Sequence, residues 1–409
     1  MSTLLYLTGQ IDNPFFINEI SDFTKAFERV VVVAYAESCI SNCQRIASEY
    51  GFEYVLLSKY PHFIEIVKTL KLFAKKEVRE EISYATRGRK PLRRVAYITV
   101  YLLNAVKTRN AISVIDELED VYVYSFWLSR GAFSAVMLKE QLKPKKVISR
   151  AHGYDVYEER SDVNYLPFRK YIIENLDEIH FISDNGYKYC KQMCFSRSYE
   201  PNKLCVTRLG TRRGGTFIRD TANADKMVIV SCSSIIPLKR LDLIIRVIKK
   251  IREYSFDVKW IHIGDGPNRE AIERFAKDML ESGFSFMGNL SNSDVYSFYE
   301  SNQVDFFINM SDTEGVPVSI MEAISFGIPA IARNVGGNSE IVNEKNGILV
   351  ENINENIIVE ECADEVINLF QDKGKYELIA KQAKEYWSEY YDIRKNNQKI
   401  ISAFENRYE

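Results

Sequence analysis

Two α/β domains, each built on a parallel sheet, are what this sequence predicts, and three observations predict them. Short apolar runs alternate with stretches of helical period along most of the chain, the pattern of parallel sheets covered on both faces. The alternation comes in two series, parted at Leu209–Asp225, LGTRRGGTFIRDTANAD, where glycines and polar residues replace the periodicity. The length of 409 residues exceeds what one core serves, because cores stop growing at roughly 250–300 residues.

The first series places strands at Leu4–Thr8, Arg29–Tyr35, Tyr54–Leu57, Val121–Phe126, Lys146–Ser149 and Glu178–Ser183. Between them lie stretches of helical period, including Ile17–Glu28 and Cys39–Tyr50. The second series begins at Met227 and places strands at Met227–Cys232, Lys259–Ile263, Phe284–Met287, Asp305–Met310, Ile328–Ala332 and Gly347–Val350. No repeat beyond this architectural doubling and no low-complexity tract is present.

At 46% hydrophobic and 27% charged residues the chain has ordinary globular composition, and a formal charge of −2 gives no overall pull towards nucleic acid. The longest apolar run, Val95–Val106, is broken by Asn104 and is too short to span a membrane. Met1–Gly9 reads as a strand rather than a signal peptide, so a cytosolic protein is expected. Seven cysteines, an odd number without a C-x-x-C pair, suit a reducing compartment. Cys39 with Cys43 and Cys190 with Cys194 stand at helix-turn spacing, as core or surface thiols. Only four histidines are present, which disfavours a His-rich metal site.

One segment departs from this balance. Residues 65–109 hold twelve Lys/Arg against four Glu, with Leu72, Phe73, Val95, Tyr97, Ile98, Tyr101 and Leu102 interleaved. That composition suits an anionic membrane surface or a phosphorylated acceptor, and equally a solvated helix pair with surface charge. No nucleic-acid motif accompanies the charge.

Ser149-Arg150-Ala151-His152-Gly153-Tyr154-Asp155 follows the strand that begins near Lys146. Ligands of open parallel sheets bind outside the carboxyl ends of the strands, which puts His152 at that edge. His180 and His262 fall within strands and read as core residues; His62 follows Pro61 in a loop. In the second series, the loop Ser231–Arg240 brings Ser234, Lys239 and Arg240 to the equivalent sheet edge, where a diphosphate needs countercharge. Gly264-Asp265-Gly266-Pro267 resembles half of a dinucleotide fingerprint, but Glu270 occupies the third glycine's place, which argues against a dehydrogenase.

The chain is organised around Asp305–Ala323, DFFINMSDTEGVPVSIMEA, an apolar strand, a polar turn and a helix with Pro317 suited to its first position. Glu314 precedes the helix and Glu322 lies about a turn and a half inside it. The N–H groups of Val316, Val318 and Ser319 and the helix dipole make a site for an anion such as a diphosphate. A carboxylate grips vicinal hydroxyls, so the pair of acids beside this cradle suggests a ligand part sugar and part phosphate. Either glutamate alone reads more readily as a surface charge.

These pieces together resemble the retaining glycosyltransferases of family four, which have the GT-B fold. The matching stretches are Glu314-Gly-Val-Pro…Glu322-Ala, Pro-Leu-Lys239, His152-Gly, Gly264-Asp-Gly-Pro, Gly327-Ile-Pro-Ala, Val335-Gly-Gly-Asn-Ser-Glu340-Ile-Val and Asn346-Gly-Ile-Leu-Val, densest from Met227 to Val350. The similar enzymes build bacterial capsule, exopolysaccharide or O-antigen units. The resemblance implies two Rossmann-like domains facing a cleft. Residues 1–210 would lie on the acceptor side and 211–375 bind the nucleotide-sugar, with helices at 376–409 packing back on the N-terminal domain. It implies that Glu322 holds the ribose, Glu314 the transferred sugar, Lys239 the diphosphate and His152 the sugar near the reacting carbon. Gly315, Val316, Pro317 and Val318 would line the donor, and residues around Met287 to Leu290 would touch the base. Two departures stand out: the family usually has arginine where Ser234 stands, which would shift a phosphate contact to Arg240, and the loop Gly9–Pro14 lacks the usual paired glycines.

The implied activity is transfer of a sugar from a nucleotide-sugar to a glycan or lipid-linked acceptor with retention, at the inner face of the plasma membrane. No cofactor is expected, since the nucleotide-sugar is a substrate. No Asp-x-Asp triplet occurs, so Lys239, Arg240 and the helix start are expected to do a metal's work on the leaving diphosphate. The alternatives are a sugar-nucleotide epimerase of the same fold, which needs no acceptor, and an inactive scaffold relative.

Overall fold

The computed structural model describes residues 2–35, 40–196, 203–212, 214–215, 226–351 and 354–405. The chain forms two compact units, Met1–Arg208 together with Arg394–Glu409, and Leu209–Ile393. Much of the seam read at Leu209–Asp225 lies outside the described residues, as does Cys39.

In the first unit seven strands form one parallel sheet: β1 (Thr3–Leu7), β2 (Arg29–Tyr35), β3 (Glu53–Leu57), β4 (Val121–Ser125), β5 (Lys146–Ala151), β6 (Glu178–Phe181) and β7 (Leu204–Val206). Their order is β3-β2-β1-β4-β5-β6-β7. β7 is a three-residue edge strand, too short for its apolar run to stand out in the sequence. β1, β2 and β4 bury nearly every residue, as strands sandwiched between helix layers must. An ion pair of Glu19 with Arg150, both fully buried, ties the helix Pro14–Ala26 to β5, and Glu19 also accepts from the hydroxyls of Tyr6 at 2.9 Å and Tyr124 at 3.3 Å. This anchors the strand from which His152 emerges.

In the second unit six strands, β8 (Lys226–Cys232), β9 (Asp257–Ile263), β10 (Phe284–Phe286), β11 (Phe306–Asn309), β12 (Ala330–Arg333) and β13 (Gly347–Val350), form a parallel sheet in the order β10-β9-β8-β11-β12-β13. The helix Leu241–Glu253 covers it with Leu243, Ile244, Ile245, Val247, Ile248 and Ile251, all buried. His262 sits inside this core, bonded to Ser231 Oγ at 2.9 Å, and Trp260 Nε1 donates to the same hydroxyl.

The terminal segment 376–409 is divided between the units. The helix Lys373–Tyr390 packs in the second, where Tyr376 donates to the carbonyl of Asp305 at 2.7 Å and Trp387 to Thr211 Oγ1 at 2.8 Å. Residues from Arg394 belong to the first, where Phe404 meets the rings of Phe27 and Tyr122. In each sheet the strand order reverses once, between β1 and β4 and between β8 and β11, and the carboxyl ends of strands flanking such a reversal border a crevice.

Candidate functional site

At the reversal of the second sheet, two loops meet that lie far apart in sequence. β8 leads through Ser233–Ile236 into a turn of 3-10 helix, Pro237–Lys239. β11 leads through Met310–Pro317 into the helix Val318–Ser325. Asp312 N donates to Leu238 O at 2.9 Å, joining the loops. Lys239 Nζ then reaches Glu314 Oε1 at 2.6 Å, with the two side chains 20% and 10% exposed. The same oxygen accepts from Ser311 Oγ at 2.7 Å and Asn309 Nδ2 at 3.2 Å. Every one of these bonds falls on Oε1, so Glu314 is oriented by the protein through one oxygen. Asn309 and Ser311 were not singled out from sequence, because polar residues closing an apolar strand look like ordinary turn formers.

Arg240, expected as a diphosphate countercharge, is held by carboxylates of its own unit. Its backbone is left-handed, at φ 49°, and its guanidinium binds Asp242 at 2.9 Å, Asp312 at 3.2 Å and Glu355 at 2.6 Å. Arg333, buried, adds a bond to Asp312 at 2.7 Å and another to Met310 O at 3.0 Å. Three carboxylates occupy Arg240, which makes it a staple between the loop and the helices behind it. Ser234, in the same loop, is exposed.

The helix starts one residue later than expected. Pro317 is the N-cap, with ψ 97°, and the first N–H groups inside are those of Val318 and Ser319, which have no partner within the helix. The preceding turn is held from outside by Gly336 and Gly337. Gly336 has φ 52°, Gly337 N donates to Glu314 O at 3.1 Å, and a methyl added at Gly337 would lie 1.9 Å from Gly315 O. Gly337→Ala should therefore lower stability by about 1–3 kcal/mol through overpacking and displace Glu314. Gly374→Ala, where the nearest atom would be 3.7 Å away, is the control in thermal denaturation. Equal behaviour of the two variants would mean the loop moves aside freely.

The glycines of Gly264-Asp265-Gly266 have the same explanation. Added methyls would meet Ser233 O at 1.9 Å and Ile235 O at 2.5 Å, so these glycines let one loop pack against another. Gly264 N donates to Gly288 O at 2.8 Å, which sets the course of the Met287–Leu290 segment; Met287 is exposed and Leu290 half-buried.

Glu322 is only 6% exposed and accepts from Asn292 Nδ2 at 2.5 Å. Burial pushes its carboxyl up to about 7, with the Asn292 bond opposing. The Cys232 thiol nearby is pushed up to about 12 by burial and by Glu322. A buried acid with one neutral donor is short of hydrogen-bond partners, and hydroxyl groups of a ligand would supply them. Asn292 was missed from sequence, since a polar residue opening a helix 30 positions away carries no sign of this contact.

In the first unit His152 is buried between Phe126 and Trp127, with ring centroids 4.7 and 4.3 Å away. Neither ring nitrogen has a hydrogen-bond partner. Burial, and secondarily Arg150, holds its pKa well below the ordinary value, so the imidazole is neutral. Asp155 fixes the turn by accepting from the N–H groups of His152 and Leu128, both at 2.6 Å. His180 is core, bonded to Thr207 at 2.8 Å and Glu178 at 3.2 Å. Glu178, His180 and Cys205 form the one group among the described residues whose donor atoms could share an ion, but the ammonium of Lys146 already sits on Glu178.

Residues 226–372 match the family model described as Glycosyl transferases group 1. Over 120 residues the chain is 36% identical to the O-antigen biosynthesis glycosyltransferase WbnH of Escherichia coli, covering 29% of this chain and 32% of that protein. It is 24% identical over 289 residues to the N-acetyl-alpha-D-glucosaminyl L-malate synthase of Bacillus anthracis, covering 68% and 71%. The matches to the first curated relatives span 32% of their length, about a third. Among solved structures, HepE of Anabaena in complex with UDP and glucose superposes with a TM-score of 0.66 over 99% of both chains at 14% identity. That likeness establishes the fold, which is GT-B, two Rossmann-like parallel-sheet domains.

Proposed function

We propose, from the match of residues 226–372 to the group 1 glycosyl transferases, that this chain transfers a sugar from a nucleotide-sugar to a glycan or lipid-linked acceptor in surface polysaccharide synthesis, with retention of configuration. The observation that carries the reading is the Lys239–Glu314 pair, held at the sheet reversal beside a helix start, with the buried acid Glu322 on that same helix. Glu322 takes the ribose hydroxyls, and the Met287–Leu290 segment lies against the base. Lys239 and the N–H groups of Val318 and Ser319 take the diphosphate. Glu314 takes hydroxyls of the transferred sugar. In the first unit, the neutral imidazole of His152 offers a hydrogen bond to a sugar hydroxyl.

In the reaction, the bond from the anomeric carbon to the diphosphate oxygen breaks and a bond to an acceptor hydroxyl oxygen forms. The acceptor proton passes to the departing diphosphate. Charge grows on that leaving group while the sugar becomes oxocarbenium-like, so fixed positive charge at the diphosphate lowers the barrier most.

A thermal-shift screen against UDP-, GDP-, ADP- and CMP-sugars tests the reading, since a ligand at about 100 times its dissociation constant adds roughly 2.7 kcal/mol. One base should stabilise the protein, and sugar should then appear on acceptor glycan. Release of isomerised sugar without acceptor would identify an epimerase, and silence with all four donors a scaffold. Because Lys239 and the helix start carry the diphosphate charge in this proposal, transfer should persist in excess EDTA. Loss of activity restored specifically by manganese or magnesium would overturn that part.

A further inference from the structure

The helix Phe63–Leu72 is built inside out. It buries Glu65 and Thr69 and exposes Phe63 (82%), Ile64 (59%) and Leu70 (63%), with Ile66 also on the outside. Its polar face is turned inward for identifiable reasons. Glu65 accepts from His62 N at 2.8 Å to cap the helix, Thr69 Oγ1 donates to Glu65 O at 2.7 Å, and the buried Lys107 lies beside them, donating to Ser58 O at 2.7 Å. With those bonds made, the apolar residues at i, i+3 and i+7 must face out in one stripe, with Lys71 alongside.

The exposure is concentrated. Nine of the seventeen large hydrophobic side chains exposed among the described residues lie between Tyr60 and Val100, in a tenth of the chain. The same segment carries the excess of cations, which the structure sorts. Arg94 is buried, donating to Val163 O at 2.9 Å, and Lys107 is buried as above; Lys75 and Arg93 pair with Glu140 and Asp162. Lys71, Arg79, Arg89 and Arg109 remain exposed. Next to this surface the first unit has a cavity of about 680 Å³ at the carboxyl ends of β1 and β4, walled by Tyr97, Val100 and Tyr101 of the helix Pro91–Ile112. Tyr97 and Val100 are themselves exposed, and the helix that carries them is the one against which Phe63–Leu72 packs.

We infer that the outward face of Phe63–Leu72 inserts into the headgroup region of an anionic bilayer, and that the first unit meets a membrane-borne acceptor there. Apolar side chains supply the insertion and the exposed cations supply the preference for anionic lipid, the combination that holds amphipathic helices in an interface. The inference rests on the proposed transfer to a lipid-linked acceptor for its purpose, but not for its test.

The test is co-sedimentation of the full chain with vesicles of phosphatidylcholine alone or with phosphatidylglycerol. The chain should pellet with the anionic vesicles. The triple variant Phe63→Ser/Ile64→Ser/Leu70→Ser should lose vesicle affinity by on the order of a hundredfold, since each side chain adds apolar burial. Its melting temperature and its thermal shift with nucleotide should not change, because the three side chains are exposed and lie in the unit without the donor site. Lys71→Glu/Arg79→Glu/Arg89→Glu should weaken binding to the anionic vesicles. Equal vesicle binding by triple variant and parent, or no pelleting by the parent, would overturn the inference. A parent that self-associates through this face instead, becoming monomeric in the triple variant without any vesicle binding, would overturn it in favour of a second copy. A failed donor screen would leave the vesicle result standing, so the two readings fail separately.

Discussion

Glu314→Ala should lower turnover by on the order of a hundredfold while the bare nucleoside diphosphate binds as tightly as before or more tightly. In the structure Glu314 and Lys239 are paired at 2.6 Å, so the carboxylate competes with any diphosphate for the ammonium. Removing the carboxylate releases Lys239 to the phosphates. What is lost is the contact to the transferred sugar, which matters most when the anomeric centre becomes positive. Lys239→Ala should do the reverse: a lost charged hydrogen bond costs roughly 1.5–3 kcal/mol, and this loss should appear in diphosphate affinity and in turnover together. Calorimetry with the diphosphate and steady-state rates with the sugar donor separate the two variants. If Glu314→Ala weakened the diphosphate as much as Lys239→Ala, the pair would act as one structural strut and the division of roles would fall. The double variant tightens the test, because residues in direct contact should show non-additive effects on turnover.

Glu322→Gln should change the pH dependence of both stability and nucleotide affinity. The folded-state carboxyl titrates at about 7, above its ordinary 4.5, because of burial. Between those values the native state holds a proton the unfolded state has released. Stability from this group is therefore present in full below the ordinary value and falls as pH rises through the folded one, by on the order of 3 kcal/mol in all. Glutamine does not titrate. The variant should match the parent in melting temperature at pH 5 and exceed it at pH 8. Ribose hydroxyls donate to the ionised form, so parent affinity for nucleotide should rise from pH 5 to 7 and level off above. The variant should bind more weakly by about 1.5–3 kcal/mol at pH 8 and show no such rise. Proton release on binding, read by calorimetry in buffers of different ionisation enthalpy, should vanish in the variant. A pH profile identical to the parent's would assign the titration to another group and remove Glu322 from the ribose.

The two series of strands were legible because parallel strands buried on both faces are continuous apolar runs, and β2 and β13 run over the very residues expected, Arg29–Tyr35 and Gly347–Val350. Placement of Lys239 and Glu314 at one sheet edge was also legible. Both follow strands, and the carboxyl ends of parallel strands share an edge whatever the strand order. The motif spacing likewise fits the observed helix to within one residue, the error being that Pro317 caps the helix rather than opening it.

What tertiary structure alone decided is how neighbouring residues of the same type divide their work. Lys239 and Arg240 are adjacent cations in the sequence, yet one points to Glu314 and the other is taken up by Asp242, Asp312 and Glu355. Arg94 and Arg93 divide in the same way, one capping buried carbonyls and one at the surface. The helix Phe63–Leu72 has an amphipathic pattern that reads in either sense; the Glu65 cap and Lys107 turn its polar side inward and leave the apolar side to solvent. In each case local sequence sets the chemistry that is available. Which partner claims it depends on burial and on charges brought close from positions tens of residues away, and that information is absent from any local window of sequence.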